Sequence, residues 1–371
     1  MRRSWGEGTI YERSDGRWAG CLRVAGSRHW VYGKSRKEVA DRLRALQQQQ
    51  GQGLLTEPSR VTVAEYLTQW LEQTELTCKP STIHGYQVVV RCHLIPAVGA
   101  IRLQKLAPPH LAKLYQAKRQ QGLSPRRVAI IHAVLHRALA EAVRWRLVPR
   151  NVAADVRPPR QDHEEPDMWS VAEVRRFISS AQASDSRYAP ALVLTLCLGI
   201  RAGELLGLRW EVVDLERKAV VIDRALTWVG GKAVWGTPKS KAGRRVLALP
   251  APGHQALLAI RHQQAQDRLR AGADWKDSDG RVVTTSTGGV PILNRFKDTL
   301  GRLCEQADVP RLTVHQLRHQ CASLLFATGA DVKQVQHHLG HSRASVTLDI
   351  YGHLLAESNQ DMARRLERFL S

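Results

Sequence analysis

The chain has 371 residues, more than one ordinary domain holds, so two or three domains are expected. Lys and Arg number 55 against 34 Asp and Glu, a formal net charge of +21 on a chain that is 43% hydrophobic. That much apolar content excludes a disordered basic tail as the whole molecule, and so large a positive charge on a folded chain points to a polyanion, most simply nucleic acid. Cys21, Cys78, Cys92, Cys197, Cys304 and Cys321 are scattered without a C-x-x-C pair, which supports neither a disulfide framework nor a zinc module and reads as reduced thiols. The most apolar stretch, Ala189 to Ile200, is too short to span a bilayer, and no apolar run follows Met1-Arg2-Arg3, so a soluble cytoplasmic protein without a membrane partner is expected. Net charge is +6 over residues 1–60, +10 over 61–160 and +5 over 161–371, which makes the middle segment the one expected nearest to phosphates.

In chain order, Asp15-Gly16 is a hairpin signal between Thr9-Ile10-Tyr11 and the run from Trp18 to Val24, and Trp30-Val31-Tyr32 offers a third strand. Ser35-Arg36-Lys37-Glu38 reads as a capping box opening a helix through Val39, Leu43 and Leu46. Three strands and a helix make a small module suited to being appended to larger domains. Arg13, Arg17, Arg23 and Arg28 on its strands suit a DNA major groove, or equally a plain solubilising surface. Gln47 to Gly53 reads as a flexible linker.

The second segment is helical. Thr62-Val63-Ala64-Glu65 is another capping box, leading into Tyr66, Leu67, Trp70 and Leu71 at helical spacing. Ser81-Thr82 opens a further helix, Pro108-Pro109 precedes another, and Ser124-Pro125 supplies the cap and first-turn proline of a long one. In that last helix Val128, Ile131, Val134, Leu135, Ala138 and Ala142 make one apolar stripe. Arg126, Arg127, Arg137, Arg144 and Arg146 share the remainder with the single carboxylate of Glu141, a balance that favours phosphate contact over ordinary solvated charge. From Val148 to Met168, four prolines and the acidic Asp162, Glu164, Glu165 and Asp167 read as a semi-extended linker, which would let two basic domains close around a duplex.

The third segment carries the motifs. Leu198-Gly199-Ile200-Arg201-Ala202-Gly203-Glu204-Leu205 ends one apolar helix and starts another. Trp228 to Trp235 reads as a hairpin turning at Gly230-Gly231, followed by Thr237-Pro238-Lys239-Ser240-Lys241-Ala242-Gly243-Arg244-Arg245 and a strand from Val246 to Leu249. Further on come His315-Gln316-Leu317-Arg318-His319, Leu339-Gly340-His341-Ser342 and Ile350-Tyr351-Gly352-His353. Ordered so, the motifs resemble the tyrosine recombinases, the phage-type integrases, where an R-x-G-E turn, an H-x-x-R helix, an L-G-H turn and a Tyr on the next helix follow one another. The resemblance takes in the whole chain. It implies a multidomain, mainly α fold with small β elements: an arm-type DNA-binding domain over 1–55 with a three-stranded sheet and a helix, a helical core-binding bundle over 60–150, and a mixed α+β catalytic domain over 165–371.

The resemblance further implies site-specific recombination through a 3′-phosphotyrosine intermediate formed by Tyr351. Cleavage passes through a phosphorane-like state with negative charge on its equatorial oxygens, which guanidinium forks match bidentately without losing their own charge. Arg201 and Arg318 suit that role, with His315 and His341 adding hydrogen bonds to the same oxygens. Three apart on a helix, His315 and Arg318 can address one phosphate. A phenol of ordinary pKa is ionised to about one part in a thousand at neutral pH, so cations must activate Tyr351 or His315 must accept its proton. In the family a β-turn Lys protonates the leaving oxygen; Lys239 matches it best, with Lys241 as competitor, and the cations clustered there equally suit nonspecific backbone contact. Ordinary ion pairs or caps are expected of His319, His337 and His338.

No cofactor is expected, because a phosphotyrosine bond conserves the broken phosphodiester. Gly33-Lys34-Ser35 imitates the end of a P-loop, but Arg28 stands where its leading glycine belongs. No metal is expected either: residues 310–356 hold only Asp331 and Asp349 as carboxylates, and His315 and His319 lack a third ligand of matching spacing. The implied partners are double-stranded DNA at core and arm attachment sites and a homotetramer on two duplexes, with Leu355, Met362, Leu366 and Phe369 of the tail docking on their own domain or a neighbour. A host DNA-bending protein and an excision factor are candidate companions. Two other functions share the residues, a type IB topoisomerase-like DNA-relaxing enzyme and a noncatalytic DNA-binding accessory protein. The N-terminal module favours the integrase over the first, and the absence of a departure at the six motif positions favours it over the second.

Overall fold

The computed structural model of the chain describes residues 9–24, 27–51, 59–160, 168–236, 243–277 and 279–341, with Glu367 and Leu370. It divides into two units, residues 1–163 and 164–371.

In the first unit, strands β1 (Thr9–Glu12), β2 (Trp18–Val24) and β3 (Ser27–Gly33) form an antiparallel sheet in that order, with helix α1 (Arg36–Gly51) packed on it. Strand alternation sorts the two faces: Ile10, Leu22 and Val31 meet Val39 and Leu43 of the helix, while Tyr11, Cys21, Arg23, Arg28, Trp30 and Tyr32 share the other face. The Ser35 hydroxyl accepts the Glu38 N–H at 3.2 Å, and the Glu38 carboxylate reaches back to the Lys34 N–H at 2.8 Å, one residue beyond the capping position. The linker expected from Gln47 starts later than its composition implied. The helix runs on to Gly51, because glutamine is a good helix former and a polar run is no stop signal.

Helices α2 (Val63–Glu75), α3 (Pro80–Val89), α4 (Ile95–Val98), α5 (Pro108–Gln120) and α6 (Pro125–Arg144) enclose one core around Tyr66, Leu67, Trp70, Leu111, Ile131 and Leu135. The Thr62 capping box closes in both directions, Glu65 N–H to Thr62 Oγ1 at 3.2 Å and Thr62 N–H to Glu65 Oε2 at 2.8 Å. Ser124 caps α6 by accepting the Arg127 N–H, and the stripe from Val128 to Ala142 is buried as its spacing predicts. Helix α3 begins at Pro80 instead of Ser81-Thr82, and Pro108-Pro109 form the first turn of α5, where no N–H needs a partner. The stretch expected as linker begins inside this core: Val148 and Ala153 are buried, and Asn151 both caps the turn Val152–Asp155 and donates to the His136 carbonyl at 2.9 Å.

The second unit comprises α7 (Val171–Ala183), α8 (Ala189–Leu198), α9 (Ala202–Leu206), β4 (Val213–Asp214), β5 (Ala219–Ile222), β6 (Ala225–Val229), β7 (Lys232–Gly236), β8 (Arg245–Ala248), α10 (Ala251–Ala271), α11 (Leu293–Gln306), α12 (Val314–Ala327) and α13 (Val332–Leu339). Helix α8 is apolar all round and therefore central, with α7, α10, α11 and α12 packed about it. A small antiparallel sheet runs β4-β5-β8, and β6-β7 is the expected hairpin turning at Gly230-Gly231. Helix α13 packs on α12 and β8. No helix of the described residues is long and apolar enough to cross a membrane.

Candidate active site

The site grows from helix ends. Helix α8 stops at Gly199, left-handed at φ 58°, and a Cβ there would stand 2.6 Å from Leu339 Cδ2, so both the turn and the contact demand glycine. Two residues on, Arg201 caps α9 and donates its N–H to Glu204 Oε2 at 3.1 Å. Its guanidinium donates to Glu204 Oε1 at 2.7 Å and to the Gly340 carbonyl at 3.2 Å. On α12, opened by a Thr313–Gln316 capping box, His315 faces solvent and Arg318 faces inward at 2% exposure. Arg318 donates to the Gly199 carbonyl at 2.5 Å and to the Leu339 carbonyl at 2.6 Å.

Helix α13 ends at Gly340, also left-handed at φ 69°, in a Schellman turn: Gly340 N–H bonds the His337 carbonyl and His341 N–H the Gln336 carbonyl, both at 3.1 Å. The next three carbonyls accept from arginines. His338 accepts from Arg245 at 2.6 Å, Leu339 from Arg318 and Gly340 from Arg201. Cations suit the negative end of a helix dipole. Arg245 also donates to Glu204 Oε2 at 3.0 Å and to the Gly243 carbonyl at 2.9 Å.

Two guanidinium groups therefore pair with one buried carboxylate while a third, that of Arg318, is held by carbonyls alone, and the balance is positive. Burial pushes the Glu204 carboxyl up, but bonds and charge from Arg245 and Arg201 bring it below its ordinary value. Arg318 is pushed down to about 9 by burial, then by Arg201, and still holds its proton at neutral pH. His341 falls to about 4 through burial, then through Arg318 and Arg201; His319 falls to about 4 through burial, then through His315 and Arg318. Neutral imidazoles beside fixed guanidiniums leave the cluster with hydrogen-bond donors and positive charge, the chemistry that suits an anion.

Arg201, Arg318 and His341 thus meet at one turn, and His315 lies one helical turn from His319, their rings edge to face at 4.9 Å. Lys239, Lys241, Tyr351 and the tail residues Leu355, Met362, Leu366 and Phe369 lie outside the described residues. Among the described residues no three His, Cys, Asp or Glu are placed to hold a metal. His338, expected in a surface pair or cap, is partly buried instead, 3.9 Å from Cys321 Sγ. Arg245, counted with cations suited to backbone contact, has a side chain only 1% exposed. Strand parity could have turned it inward, since Leu247 faces inward on β8 and Arg245 shares its parity, but parity does not name the carboxylate an inward Arg needs.

The other candidate DNA contacts divide by their neighbours. Arg126 and Arg127 are exposed and pair with no described carboxylate, whereas Arg137 bonds the Tyr86 hydroxyl at 2.8 Å and Arg144 pairs with Glu141 at 3.3 Å. In the N-terminal sheet Arg23 lies opposite Arg28, Arg17 stands by Asp15 at 3.9 Å, and Arg13 lies over the Tyr32 ring at 5.6 Å. Exposed Tyr11, Trp30 and Tyr32 share the face of Arg23 and Arg28; alternation along three strands was the signal for them.

Residues 169–358, just over half of the chain, match the model of the phage integrase family, and residues 62–119 match the phage integrase N-terminal SAM-like domain. An integrase of Saccharopolyspora erythraea is 27% identical across 98% of this chain and 97% of its own length, and one of Streptomyces ambofaciens is 27% identical across 86% and 83%. Among solved structures, the Tn1549 transposon integrase in complex with a circular intermediate DNA gives a TM-score of 0.69 at 20% identity, over 82% of this chain and 99% of that one. A lambda integrase tetramer bound to a Holliday junction gives 0.57 at 16%, over 93% and 95%. These likenesses show a shared fold, a SAM-like helical domain followed by an integrase catalytic domain with small sheets. The chain belongs to the phage integrase family, the tyrosine-type site-specific recombinases of phages and mobile elements.

Proposed function

We propose that the chain integrates a phage or mobile element by metal- and ATP-independent transesterification, with Tyr351 as nucleophile and Arg201, Arg318, His315 and His341 about the scissile phosphate. The observation that carries this reading is the pair of guanidiniums, Arg201 and Arg318, held by consecutive carbonyls of the turn that His341 leaves. Donors fixed before the reaction cost no reorganisation when charge develops on the phosphate oxygens. His341, neutral in its cationic surroundings, donates a further hydrogen bond there.

In the forward step the Tyr351 oxygen bonds to phosphorus and its proton passes to His315, while the bond to the 5′ oxygen breaks and that oxygen takes a proton from Lys239, with Lys241 the alternative donor. Religation reverses each transfer with the 5′-hydroxyl of the partner strand. Residues 1–55 bind arm sites, 60–150 grip the core site and 165–371 cut. A homotetramer brings two duplexes together in the cytoplasm, as the lambda integrase tetramer holds a Holliday junction, with a host DNA-bending protein and an excision factor as companions.

The test is a nicked suicide duplex. Tyr351→Phe is expected to abolish the covalent protein–DNA adduct and leave DNA binding intact; a surviving adduct refutes the assignment. Removing residues 1–55 is expected to spare core cleavage and impair integration, and unimpaired integration counts against the arm-binding role.

A further inference from the structure

We propose that Arg245 is a positioning residue for strand cleavage: buried against Glu204, it holds the last turn of α13 so that Arg201, Arg318 and His341 keep one geometry. This rests on the roles proposed above for those three residues.

Arg245 cannot meet DNA itself, because its side chain is shut away from solvent at 1% exposure. Any effect it has on cleavage must pass through the groups it holds. Two of those groups set the cluster. One is the His338 carbonyl, first of the three consecutive acceptors at the end of α13. The other is Glu204 Oε2, which also takes the Arg201 N–H, while Glu204 Oε1 takes the Arg201 guanidinium. Glu204 is thus shared between Arg201 and Arg245, and each arginine bonds a different carbonyl of the same turn. The result is a closed ring from Arg201 through Glu204, Arg245 and α13 back to Arg201. Removing Arg245 opens the ring at both the carboxylate and the turn. Lysine keeps the charge but brings a single nitrogen, which cannot reproduce a planar fork spanning Glu204, His338 and Gly243.

The experiment is single-turnover cleavage of the nicked suicide duplex at saturating full-length enzyme, for wild type, Arg245→Lys and Arg245→Met, with DNA affinity and melting temperature measured alongside. The rate constant reports the folded molecule and the amplitude reports the folded fraction. The expected result is a rate constant lowered about 10–100-fold in Arg245→Lys, the scale of a small misplacement of catalytic groups, with affinity unchanged and Arg245→Met slower still. A role confined to holding the fold predicts lower amplitude and melting temperature with a wild-type rate constant, and that outcome overturns the proposal. If Arg245→Met does not fold, Arg245→Lys decides alone. Tyr351→Phe in the same assay separates the two readings: an adduct surviving there refutes the nucleophile whatever Arg245 does.

Discussion

The arginines along α6 and those at the end of α13 carry the same charge in opposite settings. Arg126, Arg127 and Arg144 stand in solvent on a segment of net charge +10, whereas Arg245 and Arg318 are buried in a segment of only +5. The lower figure goes with a different use of charge. Buried guanidinium groups need carbonyls and a carboxylate to hold them, so Glu204 sits among the arginines and subtracts from the count. Exposed arginines need no such partner: Arg126 and Arg127 pair with no described carboxylate, and Arg144 meets Glu141 only in solvent. Net charge by segment therefore reports where long-range, salt-screened attraction to a polyanion lies. It is blind to desolvated groups such as the pair proposed to hold one phosphate, which are little screened. Affinity and chemistry should then respond to different arginines.

The sharpest way to break that division is Arg318→Ala. Cleavage of a suicide substrate is expected to slow by about 10²–10³ or more, by analogy with losing one oxyanion donor, while affinity for DNA barely changes. The same substitution leaves the Gly199 and Leu339 carbonyls buried without their donor, at about 1–3 kcal/mol each, so thermal melting should fall as well. An Arg318→Ala enzyme that bound poorly but cut normally once bound would reverse the comparison.

Next in size is the response to acid. His341 and His319 are both held near 4 in the fold, by burial first and neighbouring cations second, against an ordinary value of 6.5. A depressed value means the unfolded chain binds protons more readily, so stability is fully present above pH 6.5 and is lost as pH falls toward 4. Melting temperatures measured from pH 7 down to about 4.5 should decline, and His341→Gln should flatten part of that decline. Arg126→Ala should leave the slope alone. A slope indifferent to His341→Gln would show that this imidazole is not shielded as the cluster requires.

How much of this was legible beforehand depended on contact range. Local signals read well: the Thr62–Glu65 box, the Ser124-Pro125 start and the stripe from Val128 to Ala142 depend only on neighbours a turn away. Arg201, Arg318 and His341 could be singled out through the order of their motifs, although the bonds that bring them together join residues 139 and 21 positions apart. The Arg245–Glu204 pair spans 41 positions between a strand and a helix, and no periodicity reports such a contact. Asn151 was hidden for a related reason. A proline-rich stretch looks like linker until one side chain fastens it to the His136 carbonyl. The run from Gln47 to Gly51 misled differently, since a polar composition describes solvent exposure and says nothing against a helix.

On the exposed side of the comparison, Arg126→Ala with Arg127→Ala should weaken DNA binding and leave the single-turnover rate at saturating enzyme unchanged. If each arginine neutralises one phosphate, the slope of log affinity against log salt should shrink by about 0.9 for each one lost. Titration at several salt concentrations measures this directly. A slope unchanged in the double variant would place both side chains away from the backbone of the duplex.

The smallest effect is expected where an exposed arginine has already been recruited by its own fold. Arg137 donates to the Tyr86 hydroxyl at 2.8 Å, lies over the same ring at 5.5 Å and reaches Cys78 Sγ at 3.7 Å. Tyr86 in turn packs against Trp70 in the bundle, so the guanidinium extends a stack rooted in the core. An exposed cation over a ring contributes about 0.5–1 kcal/mol, so Arg137→Ala should lower the melting temperature slightly. Its effect on the salt slope should be smaller than that of Arg126→Ala, because a guanidinium engaged with a ring and a hydroxyl has fewer N–H groups left for a phosphate. Arg137→Lys separates the two contributions, keeping the charge while losing the planar stack. If it restores DNA affinity but not melting temperature, Arg137 serves both sides; if Arg137→Ala reduces the slope as much as Arg126→Ala does, packing against Tyr86 has not withdrawn it from the phosphate surface.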